Sequence, residues 1–195
     1  MKKIIVGITG ASGVVYGVRL LEALKSTGIE THLVVSKAAQ LTLSQETSLK
    51  ATDLQKLADY NYQPVDIGAS IASGSFRAEG MIVAPCSVKT MSEIATGVTS
   101  GLISRAADVC LKERRKLVLM VRESPLHLGH LRTMAALAEM GAVIAPPLPA
   151  FYPKPENIDT LINHNIGRIL DLFEVENSLV ERWKGLKPRH KNKNT

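Results

Sequence analysis

The chain has 195 residues, 45% of them apolar, enough for one substantial core and close to the usual size of a single domain. Its net charge of +6 is local: Lys184, Lys187, Arg189, Lys191 and Lys193 carry no acid among them, and without them the 24 bases and 18 acids nearly balance. This argues against a nucleic-acid-binding face, two cysteines argue against a secreted disulfide scaffold, and no apolar run is long enough to span a bilayer. Residues 1–183 are expected to form one domain, residues 184–195 a basic, disordered tail, and the protein is expected in the cytoplasm.

The first strand is predicted over Ile4 to Ile8; the run is cut by Thr9-Gly10, which argues against a secretory leader. A helix over Val14 to Ser26, a strand over Thr31 to Val35 and a helix over Lys37 to Thr42 follow. Next come a strand from Met81 to Ala84, ended by Pro85, and helices over Val88 to Thr96 and Leu102 to Glu113. Strands over Leu117 to Val121 and Ala142 to Ala145 flank a helix over Leu128 to Met140, and a last helix runs from Glu156 to Phe173. Short apolar runs alternating with segments of three- and four-residue periodicity predict an α/β fold: a Rossmann-like (flavodoxin-like) three-layer sandwich with a mostly parallel sheet. Such sheets bind ligands beyond the carboxyl ends of their strands, so chemistry is expected in the residues just after each strand.

After the first strand, Thr9-Gly10-Ala11-Ser12-Gly13 lets the backbone approach a ligand while helix N–H groups face an anion. The glycines at 7, 10, 13 and 17 do not make G-x-G-x-x-G, and a plain strand-to-helix turn is an equally good reading of them alone. A dinucleotide site would place an acid after the second strand; Ser36-Lys37 stands there, and a hydroxyl suits a mononucleotide phosphate better. No tyrosine has a lysine four residues on, which disfavours a short-chain dehydrogenase.

After the third predicted strand, Cys86 reads as a small buried hydrophobe, and Ser87 with Thr90 as a helix start. After the fourth, Arg122 can grip a phosphate and Glu123 can shuttle a proton. His127 and His130 have a spacing compatible with metal ligation but no third ligand, so helix-start capping is the expectation and no metal is expected. Arg105, Lys112 and Arg168 lie on otherwise apolar helices and singly read as surface cations. The proline-rich stretch from Pro146 to Pro155 holds Phe151 and Tyr152 as a candidate substrate wall.

Together these segments resemble the UbiX family of flavin prenyltransferases from about Lys2 to Trp183. The residues that carry the resemblance include Gly7-Ile8-Thr9-Gly10-Ala11-Ser12-Gly13, Ser36-Lys37-Ala38-Ala39, Glu46-Thr47, Ala72-Ser73-Gly74-Ser75-Phe76 and Pro85-Cys86-Ser87. Further matches are Arg105-Ala106-Ala107-Asp108-Val109, Leu111-Lys112-Glu113-Arg114, Arg122-Glu123, Pro125-Leu126-His127-Leu128-Gly129-His130-Leu131, Pro149-Ala150-Phe151-Tyr152 and Arg182-Trp183. The stretch Gly17-Val18-Arg19 and the region Asn61 to Ser70 carry less of the pattern.

The resemblance implies a metal-independent, dodecameric enzyme that joins dimethylallyl phosphate to N5 and C6 of reduced FMN, for use by a UbiD-type decarboxylase. It implies that Gly10, Ala11, Ser12, Ser36, Ser87, Val88, Lys89, Thr90 and Arg122 bind FMN. It further implies that Tyr152, Arg168, Lys112 and Arg105 bind the prenyl phosphate, with groups supplied by neighbouring subunits. Glu123 is placed beside that phosphate; Glu46 is expected to remove the C6 proton and Ser12 to position N5. Two rivals remain. A cysteine decarboxylase of the same fold would show a His soon after the second strand, where Lys37-Ala38-Ala39-Gln40 stands; a non-catalytic FMN carrier would need neither Glu46 nor the Tyr152 and Arg168 pair.

Overall fold

The structure, a computed structural model, describes residues 1–180, 182, 183 and 185. The basic tail expected over 184–195 thus lies, apart from Gly185, outside the described residues. Six strands form one sheet: β1 (Lys3–Ile8), β2 (Glu30–Val35), β3 (Tyr60–Tyr62), β4 (Gly80–Cys86), β5 (Lys116–Val121) and β6 (Val143–Ile144). Every pairing is parallel and the order is β3-β2-β1-β4-β5-β6. That is the doubly wound order; without the short edge strand β3 it becomes the flavodoxin-like one.

The helices are α1 (Val15–Lys25), α2 (Lys37–Glu46), α3 (Ala51–Gln55), α4 (Val88–Thr96), α5 (Leu102–Lys112), α6 (Leu128–Glu139) and α7 (Ile158–Leu172). Strand residues divide between two cores with the two-residue period of a pleated sheet. Ile4, Val6 and Ile8 of β1, Ile82 and Ala84 of β4, and Val118 and Met120 of β5 share one core with α1 and α7. Ile5, Met81, Val83, Leu117, Leu119 and Val121 point the other way, into a core with α4 and α5. Helix layers on both faces bury the strands on each side, as a parallel sheet requires.

Close packing of α1 on the sheet depends on Gly17. A Cβ there would stand 2.5 Å from the Ala84 carbonyl oxygen, which is backbone and cannot yield.

Several expectations are corrected. Pro85 does not end its strand: β4 continues to Cys86 through a register shift between Val83 and Cys86, an irregularity that accommodates a residue without an N–H. β3 and α3 were not expected, because Tyr60-Asn61-Tyr62 is three residues long, largely exposed and without apolar alternation, and α3 buries only Leu54. The second helix runs on past Thr42 to Glu46. The last begins at Ile158, not Glu156, because the Asn157 side chain accepts a hydrogen bond from the Thr160 N–H and caps it.

Candidate active site

In a doubly wound sheet the chain leaves β1 toward one face and β4 toward the other, which opens a crevice between their carboxyl ends. Thr9, 1% exposed, ties the two ends together. Its hydroxyl donates to the Pro85 carbonyl at 2.8 Å and accepts from the Ser87 N–H at 2.8 Å. Around it lies a cleft of about 580 Å³ lined by residues that follow β1, β2, β4 and β5. These include Gly10, Ala11, Ser12, Ser36, Ser87, Val88, Lys89, Thr90, Arg122 and Glu123, so a single chain gathers every expected FMN-binding residue.

Two helix starts face the cleft with their caps in place. The Ser36 hydroxyl accepts from the Ala39 N–H at 3.0 Å and caps α2; the Ser87 hydroxyl accepts from the Thr90 N–H at 3.3 Å and caps α4. The remaining first-turn N–H groups and the helix dipoles make this edge electropositive, and the exposed Arg122 adds a full charge. The turn after β1 can press against α2 because Gly10 has no side chain: a Cβ there would lie 2.4 Å from that of Ala38. Thr9, Lys37 and Ala38 also line the cleft and were not singled out as ligand-binding. Their position directly after β1 and β2 was the available signal.

The α1 start is handled differently. Val14, its cap residue, has no side-chain acceptor, and the carboxylate of Glu46 serves instead. It accepts from the Gly13 N–H at 2.9 Å and from the Val14 N–H at 2.9 Å. A negative charge at a helix N-terminus stabilises it by about 1 kcal/mol. The contact also fixes Glu46 on the loop that carries Ser12. Glu123 bends back, its carboxylate accepting from the Ser124 N–H at 3.0 Å.

The expected prenyl-phosphate ligands fall into two further places. Tyr152 donates to or accepts from His164 Nε2 at 2.8 Å, and Arg168 lies one turn beyond His164 on α7, where its charge reaches the imidazole. Arg168 pairs with Asp171 at 2.9 Å. Burial first, and then Arg168, pull the His164 pKa below the ordinary imidazole value. Trp183 meets the Tyr152 ring edge-on, with centroids 5.6 Å apart.

Lys112 is elsewhere. It ends α5 shortly before β5 starts, at the amino-terminal edge of the sheet and so opposite the cleft, where it pairs with Glu113 beside Gly74. Arg105, on the same helix, bonds Asp108 at 2.8 Å and the Ala72 carbonyl at 3.2 Å. One chain therefore does not bring Lys112 and Arg105 to Tyr152 and Arg168.

Cys86 and Cys110 are both buried free thiols, with pKa values pushed up by desolvation to about 12. Neither is a nucleophile near neutral pH. His127 Nδ1 accepts from the Gly129 N–H at 3.0 Å and caps α6. Among the described residues no group of three or more His, Cys, Asp or Glu is arranged to hold a metal, and no helix is long and apolar enough to cross a membrane. Clefts of about 720 and 730 Å³ at the opposite edge of the sheet are larger, but neither gathers helix starts.

The family described as Flavoprotein matches residues 1–183. The chain is 56% identical over 188 residues to a flavin prenyltransferase UbiX of Escherichia coli (strain K12), covering 95% of this chain and 100% of that protein. It superposes with a TM-score of 0.94 and 49% identity on the crystal structure of AnUbiX (PadA1) in complex with FMN and dimethylallyl pyrophosphate, covering 95% of this chain and 99% of that one. A dodecameric FMN-dependent UbiX-like decarboxylase from Escherichia coli O157:H7 superposes with a TM-score of 0.91 at 51% identity, covering 94% and 100%.

Proposed function

The chain belongs to the UbiX flavin prenyltransferases within the Flavoprotein family, and from that premise we propose that it transfers a dimethylallyl group to N5 and C6 of reduced FMN. The observation that carries this reading is the cleft where β1 and β4 part. Two capped helix starts and Arg122 there suit a mononucleotide phosphate, and Glu46 is held on the turn that follows Ser12. No acid follows β2, so no adenosine ribose is expected, and the cleft volume of about 580 Å³ suits one mononucleotide.

Reduced FMN supplies the electron-rich ring that accepts the allylic carbon. Loss of phosphate from that carbon develops an anion, which fixed cations and donors must hold. Tyr152, Arg168 and Lys112 are assigned that task, with Arg105 and Glu123 beside it. Lys112 serves the site of a neighbouring subunit, because it stands across the sheet from its own cleft, and Arg105 of the same helix serves with it. A dodecamer, as in the UbiX-like relative, supplies such neighbours. Ser12 positions N5, and Glu46 takes the C6 proton as the ring closes. The catalytic domain spans residues 1–183, and its free cysteines fit a reducing cytoplasm. The product goes to a UbiD-type decarboxylase.

Anaerobic incubation of the purified chain with reduced FMN and dimethylallyl phosphate, and in parallel the pyrophosphate, tests the reading. A prenylated flavin of the added mass is expected, and the faster donor is the natural one. Bound but unchanged FMN in both incubations would make the chain a carrier. Because one close relative is described as a decarboxylase, a third incubation offers a phenolic acid to the chain alone. Carbon dioxide released there would replace prenyl transfer with decarboxylation.

A further inference from the structure

The Tyr152 ring is confined on two sides. His164 meets it edge-on at 81° with centroids 5.4 Å apart, and Trp183 does so at 83° and 5.6 Å. What such packing leaves free is rotation of the phenolic O–H about its C–O bond. Only one hydrogen-bond partner for that oxygen stands among the described residues, His164 Nε2 at 2.8 Å. His164 is 9% exposed, whereas Tyr152 is 48% exposed, so a buried imidazole backs a tyrosine that is itself partly open to solvent. No strand-end motif or local periodicity marks His164 as functional.

We infer that His164 is a positioning residue for the prenyl donor: its buried Nε2–H donates to the Tyr152 oxygen and so turns the Tyr152 proton outward, toward the phosphate. The inference rests on the reading of Tyr152 as a ligand of that phosphate. A phenol that accepts from His164 keeps its own proton for another acceptor, whereas one that donates to His164 has none to offer. An imidazole protonated on Nε2 enforces the first arrangement. Arg168, one turn along α7, brings the charge that the neutral ring lacks, so the three residues divide the work between direction and attraction.

The test measures kcat/KM for dimethylallyl phosphate, together with FMN affinity by fluorescence titration. His164→Leu is expected to lower kcat/KM about 10-fold, the worth of one neutral hydrogen bond, with FMN affinity unchanged. His164→Gln, whose amide nitrogen reaches the place of Nε2, should stay within about 3-fold of the parent. In a Tyr152→Phe background, His164→Leu should add nothing, since the two residues act as one unit. Parent-like kinetics in His164→Leu, or a loss undiminished by Tyr152→Phe, overturns the inference while leaving Tyr152 in its role. A silent Tyr152→Phe removes the premise and the inference together. If His164→Leu does not fold, His164→Asn replaces it, because its amide lies near Nδ1: a loss supports the inference and kinetics equal to those of His164→Gln overturn it.

Discussion

The cleft between β1 and β4 and the Tyr152–His164–Arg168 patch are built by different means. Each residue of the cleft follows a strand, so the topology of the sheet brings Gly10, Ser36, Ser87 and Arg122 to one edge however far apart they lie in the chain. The patch needs one helix face and one loop to meet: His164 and Arg168 are a turn apart on α7, and Tyr152 reaches them from an irregular proline-rich segment. One chain gathers all the residues proposed for FMN in the cleft, whereas Lys112, proposed for the same phosphate as Tyr152 and Arg168, stands at the far edge of the sheet. A cleft made of strand ends comes with the fold; a patch made of loop and helix depends on how those elements pack.

The sharpest break in this comparison is expected at Glu46, which is held on the turn after Ser12. Glu46→Gln should slow ring closure by about 100-fold or more, the usual effect of losing a general base. It should release a flavin alkylated once and lacking the fourth ring, distinguished by its NMR spectrum. Fully closed product at the parent rate would remove Glu46 from the chemistry. Next in size, Arg122→Ala should weaken FMN binding about 10- to 100-fold, as expected for one or two charge-assisted hydrogen bonds. Arg168→Ala should leave FMN affinity unchanged and raise KM for the prenyl donor. If both variants weaken FMN equally, cleft and patch are not separate in function.

Gly17→Ala tests the frame beneath the cleft. Its Cβ would press on the Ala84 carbonyl, and a loss of about 1–3 kcal/mol is expected from such overpacking, read from urea unfolding.

The smallest effect is on pH dependence. Burial lowers the pKa of His32, despite the opposing Glu30, and that of His164, so the folded chain binds fewer protons than the unfolded chain near the ordinary value of 6.5. Stability from both groups is full above that value and is lost as pH falls through the depressed folded values. Tm should therefore drop on acidification below pH 6.5, and His32→Gln should flatten the slope. A Tm that rises on acidification contradicts this.

Much of this was legible in the chain. Five strands and most helices follow from apolar periodicity, and the strand-end residues mark the cleft because a parallel sheet can present a ligand nowhere better. β3 escaped because three mostly exposed polar and aromatic residues carry no alternation, and the extension of α2 to Glu46 escaped because Leu43-Ser44-Gln45-Glu46 reads as polar. The consequence is that the carboxylate capping α1 comes from a turn the periodicity does not reveal.

By itself the sequence determined the layered α/β fold and the strand-end placement of the cleft, both of which depend on local pattern and on the parallel connections it forces. Tertiary structure alone decided that Glu46 caps a helix begun more than thirty residues earlier, that His164 lies under Tyr152, and that Lys112 stands across the sheet from its own cleft. Those contacts join residues on different elements. Their distances are set by how helices and loops pack on the sheet, which no spacing along the chain encodes.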